Sequence, residues 1–299
     1  MDVSEIRVEA CPTEIDKRHK EQYDTLGYVA FEGLLNGAEV DAARRALSSV
    51  VRSMMEGVRI GKGLIKEAPP NATKNYAGPR VERAQGECVL HFESGVDPLA
   101  LAETHVETAF RKVHNYQDED PVFQALVVLP KVRGFLSELM EQEVVLKDVM
   151  ALSKPPFIGS EKPWHQDNAY FNWLPLTALG TVWIALDDAT VENGCMHVLP
   201  GQHKRGPLRH HHTIDCEILP DRLDASEAVP IELKAGGVIF FSALLPHQTP
   251  ANSSSARRRA LQFQYRGTTA YQVSPQEFGR VFAEADGTPA SCALAHENG

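Results

Sequence analysis

From about residue 143 to 270 the chain breaks into short β-prone runs, and this feature limits the fold most. Val144–Leu152, Gly180–Leu186, Cys195–Leu199, Val229–Leu233, Val238–Phe241 and Ala260–Tyr265 are rich in β-branched and aromatic residues, with Pro, Gly and Asn between them. The first part reads differently. A helix is expected over Glu14–Thr25, capped by Thr13 and stopped by Gly27, followed by a strand at Tyr28–Phe31. A second helix starts at Asn36 or Gly37, where Val40, Ala43, Leu47, Val50 and Val51 recur at helical spacing. Residues 57–98 read as a long irregular excursion, and helix returns from His105 to Leu139 with a fresh start at Asp120-Pro121. Helices followed by many short strands indicate an α+β chain whose strands close into a sandwich or jelly roll. One domain over 1–299 is expected, with a helical part at about 13–142, a β core at about 143–270 and a C-terminal tail at 271–299, loosely ordered after Gly287.

Charge and cysteines narrow the setting. A net charge of −10 repels nucleic acid over the average surface, so no nucleic-acid partner is expected. No apolar stretch is long enough for a bilayer, and Met1 to Glu14 lacks the order of a secretory signal. Cys11, Cys88, Cys195, Cys216 and Cys292 are odd in number and show no paired short spacing, which argues against disulfides and for a reducing, cytoplasmic location. Monomer and homodimer are both open.

The chemistry gathers in three places. In an extended segment His165 and Asp167 face the same way while Gln166 points away, so the pair can grip one metal ion. His247 is placed to add a third ligand. Two histidines and a carboxylate on one side of an ion leave the other side open, which suits non-heme Fe(II). Eleven residues past His247 lies Arg258, on a strand whose Arg258, Ala260, Gln262 and Gln264 share one face. Turned into the same cavity, its guanidinium can clamp a carboxylate with two parallel hydrogen bonds. Arg257 and Arg259 face the other way and read as an exposed basic edge. His210-His211-His212 reads as a loop, because consecutive residues do not converge on one ion.

Pro163-Trp-His-Gln-Asp167, Thr181-Val-Trp-Ile-Ala-Leu-Asp-Asp188, Glu192-Asn-Gly-Cys-Met-His-Val-Leu-Pro-Gly-Gln-His203, His247 through Tyr265 and Lys112 through Phe123 together resemble the phytanoyl-CoA dioxygenase family over roughly residues 20–270. The resemblance implies a double-stranded β-helix (jelly-roll, cupin-like) core with N-terminal and flanking helices. It implies iron(II), 2-oxoglutarate and O₂, with hydroxylation of a small to medium organic substrate and release of succinate and CO₂. By position, His165, Asp167 and His247 are the implied iron ligands, and Arg258 and Thr249 the implied holders of the distal 2-oxoglutarate carboxylate. Lys112, Met150 and Trp183 match positions that line the co-substrate pocket, with Arg111 one residue away from the Lys112 match. Halogenating relatives need a small residue where Asp167 stands, so hydroxylation or a related desaturation or ring closure is favoured over halogenation. The substrate is expected between the 57–98 excursion and the barrel mouth. A non-catalytic ligand-binding jelly roll and a cupin-type metalloenzyme without 2-oxoglutarate stay open as alternatives.

Overall fold

A computed structural model describes residues 8–68, 72, 74–212 and 214–292. In chain order, β1 (Glu9–Ala10) and α1 (Lys17–Leu26) precede β2 (Tyr28–Glu32) and α2 (Gly37–Arg59). A meander of β3 (Gly63–Lys66), β4 (Arg80–Arg83), β5 (Val89–Phe92) and β6 (Phe110–His114) leads through α3 (Pro121–Val127) and α4 (Phe135–Leu139) to the long β7 (Val144–Lys154). Then come β8 (Lys162–His165), β9 (Trp173–Leu174), β10 (Leu179–Ala185), β11 (Met196–Val198), β12 (His210–His212), β13 (Cys216–Ile218) and β14 (Val229–Ile231). The chain ends through β15 (Val238–Ser242), β16 (His247–Thr249), β17 (Arg258–Gly267), β18 (Tyr271–Gln272) and α5 (Pro275–Val281).

A ten-stranded sheet in the order β1-β2-β15-β10-β17-β7-β6-β5-β4-β3 faces a four-stranded sheet in the order β14-β11-β16-β8. These two layers make the double-stranded β-helix of an α+β fold. Alternation along each strand builds two cores. Val182, Ile184, Leu261, Phe263 and Tyr265 turn outward and pack under α2 with Val40, Ala43, Leu47 and Val50. Trp183, Ala185, Ile239, Phe241 and Ala260 turn inward and meet Met196, Val198 and Ile231 of the smaller sheet. The helices begin where local chemistry satisfies their free N–H groups. Asn36 and Glu39 form a reciprocal capping box on α2, and Asp120 accepts from the Val122 N–H ahead of Pro121. Gly27 ends α1 in the left-handed region at φ 86°, where any other residue is strained.

Several expectations need correction. The cap of α1 is Asp16, paired with His19, and not Thr13. The stretch 57–98 is no excursion: its described residues hold β3, β4 and β5, and with β6 they extend the major sheet beyond β7. Residues 69–71 and 73 lie outside the described part. Frequent Gly, Pro and Asn at the turns mask short strands whose partners lie in the β core. After Gly287 the tail is better anchored than expected, with Ala290 and Cys292 buried against Phe278 and Phe282; residues 293–299 lie outside the described part. Cys216 and Cys292 form a disulfide across 76 residues. So long a separation leaves no spacing signal, and the cysteines therefore carry no argument for a reducing compartment. No described helix is long and apolar enough to cross a membrane.

Candidate functional site

β8 and β16 are antiparallel neighbours in a register that sets His165 opposite His247. Beyond β8 the chain tightens into a 3-10 turn at Asp167–Tyr170, which swings the Asp167 carboxylate back toward both imidazoles. Asp167 Oδ1 lies 3.5 Å from His165 Nε2 and 3.7 Å from His247 Nε2, and the ring centroids are 4.1 Å apart. All three side chains are buried. Their outer atoms are already engaged. Nδ1 of His165 is 2.8 Å from the Pro163 carbonyl oxygen and Nδ1 of His247 is 2.9 Å from that of Leu245. A carbonyl only accepts, so each Nδ1 carries the proton and each Nε2 presents a lone pair. Thr181 donates its hydroxyl to Asp167 Oδ2 at 2.8 Å, which leaves Oδ1 for the centre.

Charge follows the same plan. Burial pushes His247 down to about 3, with His165 adding to the shift, so its ring is neutral. Burial alone would raise the Asp167 carboxyl, yet His247, His165 and Thr181 outweigh it and hold it below the usual carboxylate range. Two imidazole nitrogens and one carboxylate oxygen, mutually close and inward-facing, form a donor set that fits a divalent cation. Behind them Gln166 acts as a brace. It accepts from the Leu208 N–H and donates to the Gly206 and Leu244 carbonyls, while its own N–H donates to His210 Nε2. His210 belongs to a short strand and not to a loop, and its imidazole is buried in this role.

The triad opens into a cavity that Arg258, Thr249, Lys112, Met150 and Trp183 also line, so every residue singled out from the sequence reaches one space. Arg258 is 1% exposed, and its Nε and Nη1 have no hydrogen-bond partner. Its Nη2 donates to the Gly194 carbonyl at 3.2 Å, and the guanidinium carbon stands 5.3 Å from the Trp183 ring centre. Burial depresses Arg258 to about 10, still charged at neutral pH. Gly194 sits at φ 82°, and a Cβ there would come within 2.2 Å of the Pro250 carbonyl oxygen, so only glycine brings that carbonyl to the arginine. Asn252 donates from one amide to the carbonyls of Lys154, Pro155 and Ala256, fixing the turn that feeds Arg258 into β17.

Other lining residues were not picked out beforehand. Lys154 pairs in register with Arg258, is buried, and donates to the Ser160 and Thr249 carbonyls. Burial and then Arg258 push its pKa well down. Thr181 was visible only as part of a motif. Both members of the ambiguous pair reach the cavity: Arg111 lies 3.5 Å from Glu93 and 3.6 Å from Asp215, while burial, then Arg111, lowers Lys112 to about 7. Arg259 overturns its expected role as an exposed edge. It is buried, and Nε and Nη2 hold the two oxygens of Asp187 at 2.8 Å each. Arg257 donates to the Glu107 carbonyl. The described lining contains no residue of 57–98, and three basic residues there are paired with acids, as Lys66–Glu82, Arg80–Glu82 and Arg83–Glu119. The described cavity therefore lies within the barrel and against β6.

Comparison with known proteins agrees with this geometry. The family model described as phytanoyl-CoA dioxygenase (PhyH) matches residues 23–260. Phytanoyl-CoA dioxygenase domain-containing protein 1 of Mus musculus is 31% identical over 256 residues, covering 78% of this chain and 84% of that protein. Among solved structures, the non-heme alpha ketoglutarate dependent carbocyclase SnoK from nogalamycin biosynthesis superposes with a TM-score of 0.63 at 22% identity, covering 88% of this chain and 89% of that one. EvdO2 from Micromonospora carbonacea var. aurantiaca, complexed with 2-oxoglutarate, gives a TM-score of 0.61 at 24% identity, covering 91% and 99%. The structural likenesses carry the fold; the family match over most of the length carries the assignment, and the chain belongs to the phytanoyl-CoA dioxygenase family.

Proposed function

We propose that this chain is a single Fe(II)- and 2-oxoglutarate-dependent dioxygenase domain that hydroxylates a small to medium organic substrate, releasing succinate and CO₂. One observation carries the reading. A buried, charged guanidinium with two unpartnered nitrogens shares its cavity with a His-Asp-His donor set. A buried cation with no acidic partner among the described residues is costly, and a bidentate carboxylate is the ligand that relieves it.

In this reading His165, Asp167 and His247 hold the iron through Nε2, Oδ1 and Nε2. Arg258 pairs with the distal carboxylate of 2-oxoglutarate, helped by the Thr249 hydroxyl, and Lys112, Met150 and Trp183 flank the co-substrate. When bound, iron and 2-oxoglutarate supply the O₂ activation and the oxidising power. The chain's own residues bind and orient. The Pro163 and Leu245 carbonyls fix the imidazole tautomers, Thr181 fixes the carboxylate, and Trp183 with Met150 keeps the arginine end dry. Asp167 fills the position that halogenation leaves vacant, which favours hydroxylation or a related desaturation or ring closure over halogenation. The unpartnered arginine also weighs against a cupin-type enzyme working without 2-oxoglutarate, in which nothing would pair with it.

Succinate release from 2-oxoglutarate tests the reading. It is expected to require added Fe(II), to stop on chelation, and to vanish in Asp167→Ala. Succinate release that persists in Asp167→Ala, or none from the intact protein with Fe(II) and O₂, overturns it.

A further inference from the structure

The cavity has a second polar end that iron and 2-oxoglutarate leave unused. Asp148 of β7 and Gln264 of β17 stand opposite one another in register, just before a bulge, and both line the cavity. Gln264 is 3% exposed, and its Oε1 meets no donor. The Val149 N–H donates to Asp148 Oδ1 at 2.8 Å, a local bond that engages one of its two oxygens. A buried Gln264 Oε1 that meets no donor among the described residues, beside the half-buried Asp148 carboxylate, calls for a ligand that supplies donors.

The surroundings say which kind of donor. Lys147, the extra residue at the bulge, places its ammonium 3.4 Å from the centre of the Phe171 ring. Lys162 lies 2.7 Å from Asp215 and also meets the Tyr170 hydroxyl. With Lys112 and Arg111 they make this wall rich in cations, which disfavours a cationic substrate group. A hydroxyl suits both sides, since it donates to Asp148 or Gln264 and accepts from a lysine or arginine. The apolar lining lies toward Arg258, where Leu152 and Met150 stand opposite Ala260 and Gln262. An alkyl chain at the Asp148–Gln264 level would leave Gln264 Oε1 buried and unpaired and shut water away from the Asp148 carboxylate, and a site built for hydroxyls rejects such a ligand strongly.

We propose that Asp148 and Gln264 form a hydroxyl-binding subsite and that the substrate is polyhydroxylated, of sugar or polyol character, and not an acyl chain. This rests on the dioxygenase reading above.

The test adds methyl α-D-glucopyranoside, sucrose and myo-inositol, and separately lauroyl-CoA, to the anaerobic Fe(II)–2-oxoglutarate holoenzyme. The visible absorption of the complex is the readout, with no turnover needed. At least one polyhydroxylated probe is expected to perturb the band while lauroyl-CoA leaves it unchanged. Asp148→Asn, which keeps the shape, and Gln264→Leu are each expected to raise the half-saturating probe concentration about tenfold or more. Both variants should still form the band with 2-oxoglutarate. Perturbation by lauroyl-CoA, an undiminished response in both variants, or silence of all three polyhydroxylated probes overturns the subsite. An intact protein that never forms the band overturns the dioxygenase reading instead, so the two failures are distinct.

Discussion

The two faces of β17 are made of alternate residues of one strand, yet they are finished to different standards. On the outer face Arg259 is clamped by Asp187, Leu261 and Phe263 sink into the core under α2, and the Tyr265 hydroxyl donates to the Val127 carbonyl at 2.7 Å. On the inner face Arg258 and Gln264 are as deeply buried but keep unpartnered polar atoms. Folding alone favours the first arrangement, because buried polar groups without partners cost free energy. The second is tolerated where a ligand completes it. Arg258 and Arg259 are neighbours in sequence, and only their partners tell function from architecture.

That contrast predicts a separation of effects: inner-face changes should damage ligand binding with little loss of stability, and outer-face changes the reverse. The largest effect belongs to the triad that the inner face looks onto. His247→Ala or Asp167→Ala should weaken Fe(II) binding by more than about a hundredfold in a competition with a metal indicator. Next, Arg258→Met should weaken 2-oxoglutarate binding by about 3 kcal/mol, roughly a hundredfold in Kd, while the urea midpoint of the metal-free protein holds or rises as an unpaired buried charge is removed.

On the outer face, Asp187→Ala strands Arg259 and should cost about 3 kcal/mol of stability with the 2-oxoglutarate Kd unchanged. This term has a pH signature. Burial raises the Asp187 carboxyl, but the Arg259 hydrogen bonds and charge prevail and hold it below its ordinary value. A depressed folded pKa contributes stability above the unfolded value of about 4 and loses it as pH falls through the folded value. The gap between wild type and Asp187→Ala, read from urea midpoints, should therefore be full at neutral pH and close in acid. The smallest effect is Tyr265→Phe, about 1 kcal/mol for one hydrogen bond, again without a change in ligand affinity. An outer-face substitution that weakens 2-oxoglutarate as much as Arg258→Met would end the comparison.

Much of this was legible because it is local. Period-two alternation set Arg258, Gln262 and Gln264 on one face, His165 and Asp167 lie two apart, and Asn36, Asp120-Pro121 and Gly27 mark helix ends. What stayed hidden depends on distant partners. Arg259 looked exposed because Asp187 lies 72 residues away, and Cys216 looked free because Cys292 lies 76 away. The strands β3 to β6 are short and become strands by pairing outward from β7, which no window of residues 57–114 contains. Lys154, Thr181 and Gln166 act only through neighbours brought by the fold.

The central claim is that the inner face of β17 is built for a carboxylate beside a metal. The most direct test is an anaerobic titration of the Fe(II)-loaded protein with 2-oxoglutarate, following the weak visible band of the chelate in wild type and in Arg258→Met. A saturable band in the wild type that moves to roughly hundredfold higher 2-oxoglutarate in the variant is the predicted result. Iron binding without a band, or a band with the same midpoint in both proteins, would contradict it.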